Sequence, residues 1–522
     1  MSFVTAKDPR CEVKSEADSL HVVHEGAQRV SYQTLTFDSF QLNSAPVSNI
    51  ITINPPSNQT IVDRLLKVKY YLEVKVTGGD LEIGSNDCLR QLPANSLIDV
   101  TSLKINGETV SDNTGDILHA RLCYGNEAED RRKTWSVSAA QPDQYQQLDD
   151  YLALGTNRNV AAEYGENAME PTRASLAYEV VDAQTVRYEI VEPIFISPMF
   201  DGCGRQREGL VNVNEIHLNL RFKADTQRAL TCAPRLAPGV NITSVSCVQY
   251  RAPEVQICYL TPDNLQPIPA VQTLGYSKPR QYIRQIPTPY TPGEVRREFT
   301  DSVRLSQIPR YMMLFARRSE ATSTFDKPDS FLKIKSVRVN WNNESALLSG
   351  ASTEDLYEIS RRNGCNLSYP QWSKYRGSVF MCEYGKDIGL SSGLAPGVQG
   401  SYTVQCDVEF ENVSNDDYTA TFYMVLFNIG SFSIAQNSAR SSLGNLSPSM
   451  VLAASQGHHV PAHHMDMAKG KSFMDSLDSI IPASHAPMAP QMMAPAPAPM
   501  PAPAEESRAT RRTVGGSLLR RR

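Results

Sequence analysis

The sequence predicts an all-β chain made of two successive β units. Three observations carry this: apolar and polar side chains alternate with a period of two over several long stretches, Pro, Gly and Asn clusters punctuate them, and helical periodicity is rare. At 522 residues the chain is several times one compact domain, and a prior of about 150 residues per domain gives it room for two to four units with sizeable cores. Hydrophobic residues at 41% and charged residues at 20% exclude a wholly disordered or collagen-like chain.

In chain order, the first strong strand is Leu66 to Val76. There Leu66, Val68, Tyr70, Leu72, Val74 and Val76 alternate with Lys67, Lys69, Tyr71, Glu73 and Lys75. Such a strand buries one face and wets the other. The pattern returns at Ile216, Leu218, Leu220 and Phe222, and at Tyr402, Val404, Cys406, Val408 and Phe410. Tyr418 to Phe427 is aromatic and β-branched enough for a more fully buried strand. Asn54-Pro55-Pro56, Gly78-Gly79, Asn106-Gly107 and Ala395-Pro396-Gly397 mark turns. The best-marked helix runs from Ser352 to Gly364, with a hydroxyl N-cap, Glu354 and Asp355 in its first turn, Arg361 and Arg362 in its last, and Gly364 as its stop. Many strands with few helices favour sandwiches or barrels over βαβ units.

Pattern and composition divide the chain into an N-terminal arm (1–29), a first β unit (30–255), a linker (256–293) holding Pro267, Pro269, Pro287, Pro289 and Pro292, a second β unit (294–435) and a flexible C-terminal tail (436–522). Residues 482–504 contain eight prolines in 23 positions, a composition for an extended, disordered spacer rich in Pro and Ala. Before it, Ser472 and Asp475 offer a capping pair, and Phe473, Met474, Leu477, Ile480 and Ile481 fall at helical spacing. This segment, 472–481, reads equally as a short docking helix or as a frayed, solvated stretch.

The formal charge of −5 is uneven, because residues 436–522 carry nine basic and five acidic side chains. The body is therefore about −9, which argues against reading DNA sequence along its main surface. The basic cluster Arg508 to Arg522 binds polyanions only with low specificity. Met1 to Arg10 has no apolar secretory core, so synthesis in the cytosol is expected. The apolar run Phe422 to Phe427 is six residues, far short of the roughly 20 that span a bilayer.

Few constellations point to chemistry. Gly389-Leu390-Ser391-Ser392-Gly393 matches a nucleophile elbow in form, but Ala395-Pro396-Gly397 follows where a helix is needed. The histidines after it, including His458, His459, His463 and His464, lie in low-complexity sequence that cannot hold an imidazole against a hydroxyl or complete a metal set. The ten cysteines are scattered, the closest pair being Cys247 and Cys258, so reduced, buried thiols are expected. No Walker A loop, dinucleotide fingerprint or H-E-x-x-H occurs. The expectation is a protein that is not an enzyme, with no cofactor, metal or catalytic residues.

Specific blocks carry a resemblance. Phe331 to Ser349, the helix Glu354 to Arg362, Tyr369-Pro370-Gln371-Trp372, Gly377-Ser378-Val379, Lys386-Asp387-Ile388 and Ala395-Pro396-Gly397 follow one another in an order that resembles the second half of the double jelly-roll major capsid proteins of virophages and of Polinton-like (adintovirus-like) eukaryotic DNA viruses. Ile53-Asn54-Pro55-Pro56-Ser57, Asp63-Arg64, Leu89 to Ser96 and Leu103 to Gly107 are similar to the first half of the same group. The resemblance covers about residues 30 to 430. It implies two tandem eight-stranded jelly rolls, a homotrimeric pseudo-hexagonal capsomer, and an icosahedral virion shell enclosing a DNA genome, assembled in the nucleus or cytoplasm of the host cell. Implied partners are neighbouring capsomers, penton and minor capsid proteins, and a viral cysteine protease. The resemblance implies that such a protease would read Gly515, Gly516 and Ser517 as a maturation site and cut after Gly516. The basic tail would touch DNA or an internal membrane weakly. The competing class is a β-sandwich receptor-attachment or carbohydrate-binding protein, which predicts aromatic loop clusters where this chain has only three tryptophans.

Overall fold

The computed structural model describes residues 3–4, 13–14, 29–42, 48–57, 60–83, 87–124, 178–199, 209–232, 241–261, 268–327, 329–414 and 416–455. The chain begins with a two-rung ladder of β1 (Phe3–Val4) and β2 (Val13–Lys14). The first half then runs β3 (Arg29–Thr36), β4 (Ser48–Ile53), β5 (Ile61–Val62), β6 (Lys67–Thr77), β7 (Asp87–Leu89), α1 (Pro93–Leu97), β8 (Ile98–Ile105), β9 (Glu108–Asp112) and α2 (Thr114–Arg121). It continues with β10 (Tyr178–Asp182), β11 (Thr185–Pro193), β12 (Ile216–Phe222), β13 (Leu230–Cys232), β14 (Ser244–Gln249) and β15 (Glu254–Thr261). The second half runs β16 (Val271–Tyr290), β17 (Val295–Phe299), β18 (Val303–Gln307), β19 (Tyr311–Arg318), β20 (Lys333–Trp341), β21 (Glu344–Leu347), α3 (Thr353–Arg362), β22 (Phe380–Glu383), β23 (Gln399–Glu411), β24 (Tyr418–Ala435), β25 (Ser438–Leu443) and α4 (Pro448–Ser455).

Both halves pair their strands in one order. In the first, β3-β15-β6-β11 form one sheet and β4-β12-β8-β9 the other. In the second, β16-β24-β19-β22 face β17-β23-β20-β21. Counting eight principal strands per half, each sandwich is first-eighth-third-sixth over second-seventh-fourth-fifth, which is a jelly roll. The two sandwiches bury their side chains as the alternation predicts: Val68, Tyr70, Leu72, Val74 and Val76 of β6 are buried in the first core, and Val404, Cys406, Val408 and Phe410 of β23 in the second.

The helix expected at Ser352 is α3. Ser352 accepts from the Asp355 amide and Asp355 accepts in return, a complete capping box. Gly364 takes φ +99°, the left-handed stop that favours glycine.

Two stretches differ from the sequence expectation. The prolines of 256–293 suggested a linker, yet this stretch lies mostly within β15 and the 20-residue β16. β16 is an edge strand paired only with β24, so Pro279, Pro287 and Pro289 remove no ladder bond on a second side, and the register breaks between Ile286 and Tyr290. The second is the start of the tail. Regular structure continues past Gln436, because β25 turns back on β24 as a hairpin and α4 buries Met450, Val451 and Ala454. The remainder of the tail, with the docking segment and the Gly-Gly motif, lies outside the described residues.

Candidate functional site: the joint between the two rolls

The two rolls exchange side chains at their boundary. Helix α2 follows the fifth strand of the first roll and rests on its fourth, β8. Yet Ile117, Ala120, Cys123 and Tyr124 belong to the apolar core of the second roll. In return, Leu274 and Tyr276 of β16 and Phe432 and Ile434 of β24 lie in the core of the first. The sheet face that α2 approaches is apolar and aromatic. Phe315 on β19 stacks on Tyr423 of β24 with ring centroids 4.9 Å apart, beside the neighbouring pair Met313 and Val425.

Charged groups complete the joint. Asp329, between β19 and β20, takes an ion pair from Arg90 at 3.1 Å, a second from Arg228, and a contact from His119 Nε2 at 3.4 Å. Arg90, fully buried, also donates to the carbonyls of Thr324 at 2.7 Å and Lys327 at 2.5 Å. Asp116 of α2 holds Lys223 and Arg317, each at 3.0 Å, and Arg317 reaches the Tyr423 hydroxyl at 3.3 Å. Burial pulls the Asp116 carboxyl up, but Lys223 and Arg317 outweigh it and hold the group below the ordinary Asp value. Its contribution to stability is therefore present above an unfolded value of about 4 and is lost as pH falls through the lowered native value.

Asp112, at the end of β9, behaves in the opposite sense. Burial pushes its carboxyl up to about 6, against the pull of Arg121 and Lys278. The native state then holds the proton more tightly than the unfolded chain, so stability falls as pH rises from about 4 through about 6. Asp112→Asn is expected to stabilise the protein by about 1 kcal/mol at pH 7.5, after discounting for partial exposure, and by little at pH 4. Thermal melts of both proteins at the two pH values check this.

The Gly377-Ser378-Val379 block has a geometric explanation at the same joint. Gly377 has φ +87°, and a Cβ there would stand 1.7 Å from the Phe331 carbonyl oxygen. Ser378 Oγ donates to the Trp372 carbonyl at 3.1 Å and accepts from the Ile334 amide at 3.0 Å. The Val379 carbonyl accepts from Trp372 Nε1 at 2.8 Å and from the hydroxyl of Tyr124, a first-roll residue.

With this geometry in place, known proteins supply the comparison. Residues 2–178 match the family described as the Sputnik virophage major capsid protein first domain, and residues 281–379 match the major capsid protein V20 C-terminal domain. The putative capsid protein V20 of Sputnik virophage is 27% identical over 526 residues, covering 92% of this chain and 86% of that protein. A chain of the Sputnik virophage cryo-EM structure superposes with a TM-score of 0.74 at 26% identity, covering 90% of this chain and 99% of its own.

The chain is a homologue of the virophage major capsid proteins.

The mavirus major capsid protein crystal structure, at 14% identity and a TM-score of 0.65 over 84% of this chain and 94% of its own, shares the fold. As a capsid protein, the chain belongs to the shell of a virion, and its relatives are structural proteins.

The residues singled out from sequence fall out as follows. Gly515, Gly516 and Ser517, and Phe473, Met474, Leu477, Ile480 and Ile481, lie outside the described residues. Ser391 and Ser392 sit in an exposed loop that enters a turn at Gly393 instead of a helix. The two described histidines are engaged elsewhere: His217 with Thr52 and Glu215, His119 with Ser96 and Asp329. Ser96 and Asp329 both approach Nε2 of His119, so they do not form a triad, which needs one partner on each ring nitrogen. Eight cysteines are buried and unbridged, and burial pushes the Cys247 thiol up to about 12, far from a reactive thiolate. Among the described residues no group of three or more His, Cys, Asp or Glu could hold a metal.

Sequence reasoning missed Arg90, Asp116, His119, Arg228, Arg317 and Asp329. The usable signal was a charge inside an apolar block, as in Cys88-Leu89-Arg90-Gln91-Leu92, which is costly unless paired.

Proposed function

We propose that three copies of this capsid protein close into a pseudo-hexagonal capsomer, and that such capsomers tile an icosahedral shell around a DNA genome. The observation that supports this most is the repeat of one strand order in both halves of a single chain. Two like walls per chain, arranged about a threefold axis, give six walls, and a cyclic trimer closes through heterologous contacts between different faces of the same chain. Light scattering on the purified full-length chain is expected to give three times the chain mass. A monomer would contradict the capsomer and favour the receptor-attachment or carbohydrate-binding reading.

The same reading gives the C-terminal segment two roles. A viral cysteine protease cleaves after Gly516 and removes Ser517 to Arg522; virion protein that retains Arg522 on essentially all copies, by mass spectrometry, would overturn this. Phe473, Met474, Leu477, Ile480 and Ile481 dock on a membrane or minor capsid protein beneath the shell, and normal virion assembly after deletion of 472–481 would count against it. Neighbouring capsomers and pentons contact the trimer, and the basic tail makes weak contact with DNA or an internal membrane.

A further inference from the structure

One roll-to-roll joint exists inside the chain, and a closed ring of six rolls needs a second kind, between chains. The internal joint sets α2, the helix after the fifth strand of the first roll, against the outer face of the first-eighth-third-sixth sheet of the second roll. The counterpart of α2 is α3. It also follows the fifth strand of its roll, rests on the fourth, β20, as well as on β22, and carries an acid at its third position, Asp355, where α2 carries Asp116. Its outer side presents Glu354, Asp355, Glu358, Arg361 and Arg362 to solvent.

The counterpart of the covered second-roll sheet is the β3-β15-β6-β11 sheet, whose outer face carries exposed apolar side chains among the described residues. Antiparallel register places Val30 opposite Leu260 and Tyr32 opposite Cys258, on the side away from the buried Ile257 and Tyr259. Val30 is 50% exposed and Tyr32 82%. On the same face, Lys69 and Arg251 lie over the Tyr71 ring at 4.9 and 4.7 Å, and Arg187 lies over Tyr250 at 4.7 Å. The covered face of the second roll has the same chemistry, with Arg317 at 5.2 Å over Tyr423 and an acid from α2 clamping the guanidinium. Each of these cations also holds a carboxylate of its own chain, Lys69 with Glu189 at 2.6 Å, Arg187 with Glu73 at 2.8 Å and Arg251 with Glu254 at 3.3 Å, so the face offers aromatic rings, charges of both signs and exposed apolar side chains to a helix that likewise carries acids and arginines.

We propose that α3 of one chain docks on the outer face of the β3-β15-β6-β11 sheet of a second copy, repeating between chains the joint that α2 makes within one. The inference rests on the trimeric reading above. Glu354 and Glu358 meet the Lys69, Arg187 and Arg251 rack, and Val30 and Tyr32 are covered.

The test uses the full-length chain at a concentration where light scattering finds the trimer. The exposed-face variants Val30→Glu with Tyr32→Glu, and separately Glu354→Lys with Glu358→Lys, are expected to lose the trimer peak while each keeps a folded monomer by circular dichroism. Phe299→Glu, at another exposed apolar position on β17, is expected to keep the trimer. In mixed trimers of light and heavy isotope chains, carbodiimide is expected to link Lys67 or Lys69 to Glu354 or Glu358 between chains. Trimers unchanged in both double variants, or lost only in Phe299→Glu, would overturn the docking while leaving the trimer intact. A wild-type monomer would instead remove the capsomer reading and this inference with it.

Discussion

Asp329→Ala is expected to destabilise the protein by roughly 3–5 kcal/mol, because it removes the carboxylate on which two buried cations converge. Arg90 is fully buried and Arg228 is 8% exposed, and both charges converge on this one carboxylate. Arg90 keeps its carbonyl partners in the variant but loses the ion pair with Asp329. The carboxylate comes from the second roll and its partners from the first, so the loss falls on the joint and not on either sandwich. In a protein of this size the effect corresponds to a fall in melting temperature of about 3–5 °C. Asp329→Asn, which keeps an acceptor oxygen, is expected to fall between the two. Urea denaturation of the three proteins measures the series, and an alanine variant within about 0.5 kcal/mol of the wild type would show that the cluster contributes nothing to holding the rolls together.

Gly377→Ala is expected to be at least as damaging. The added methyl would stand 1.7 Å from a backbone oxygen, which cannot swing away as the end of a flexible side chain can. The φ of +87° adds strain of about 1–3 kcal/mol for any residue with a Cβ. Relief requires the 331–334 and 377–379 segments to part, which would break the bond from the Ile334 amide to Ser378 Oγ. The expected result is loss of soluble, folded chain on expression, with Ser378→Ala as a milder comparison that removes the bonds without the clash. Equal yields and melting temperatures for Gly377→Ala and wild type would contradict this account of the glycine.

What the sequence made legible was whatever depends on neighbours along the chain. β6 and β23 announce themselves by alternation, and α3 by its cap, its terminal charges and Gly364. β16 was hidden because prolines normally break a ladder, and only its place at a sheet edge makes them tolerable. β25 was hidden because Ser-Ala-Arg-Ser-Ser-Leu has no apolar stripe; it is held by pairing with β24. Local pattern could mark Arg90 as a charge in need of a partner but not the joint itself, since Arg90, Asp116, Lys223, Arg317 and Asp329 come from separate loops and elements that only the fold brings together. The resemblance reached the fold and the capsid role through ordered blocks such as Gly377-Ser378-Val379, without revealing why those residues are required.

Negative-stain imaging of the purified full-length chain tests the central claim most directly. Class averages with a six-sided outline and threefold symmetry, from particles of three chain masses, are the predicted result. Two-lobed particles of one chain mass, with no ring closure across the concentrations tested, would contradict it.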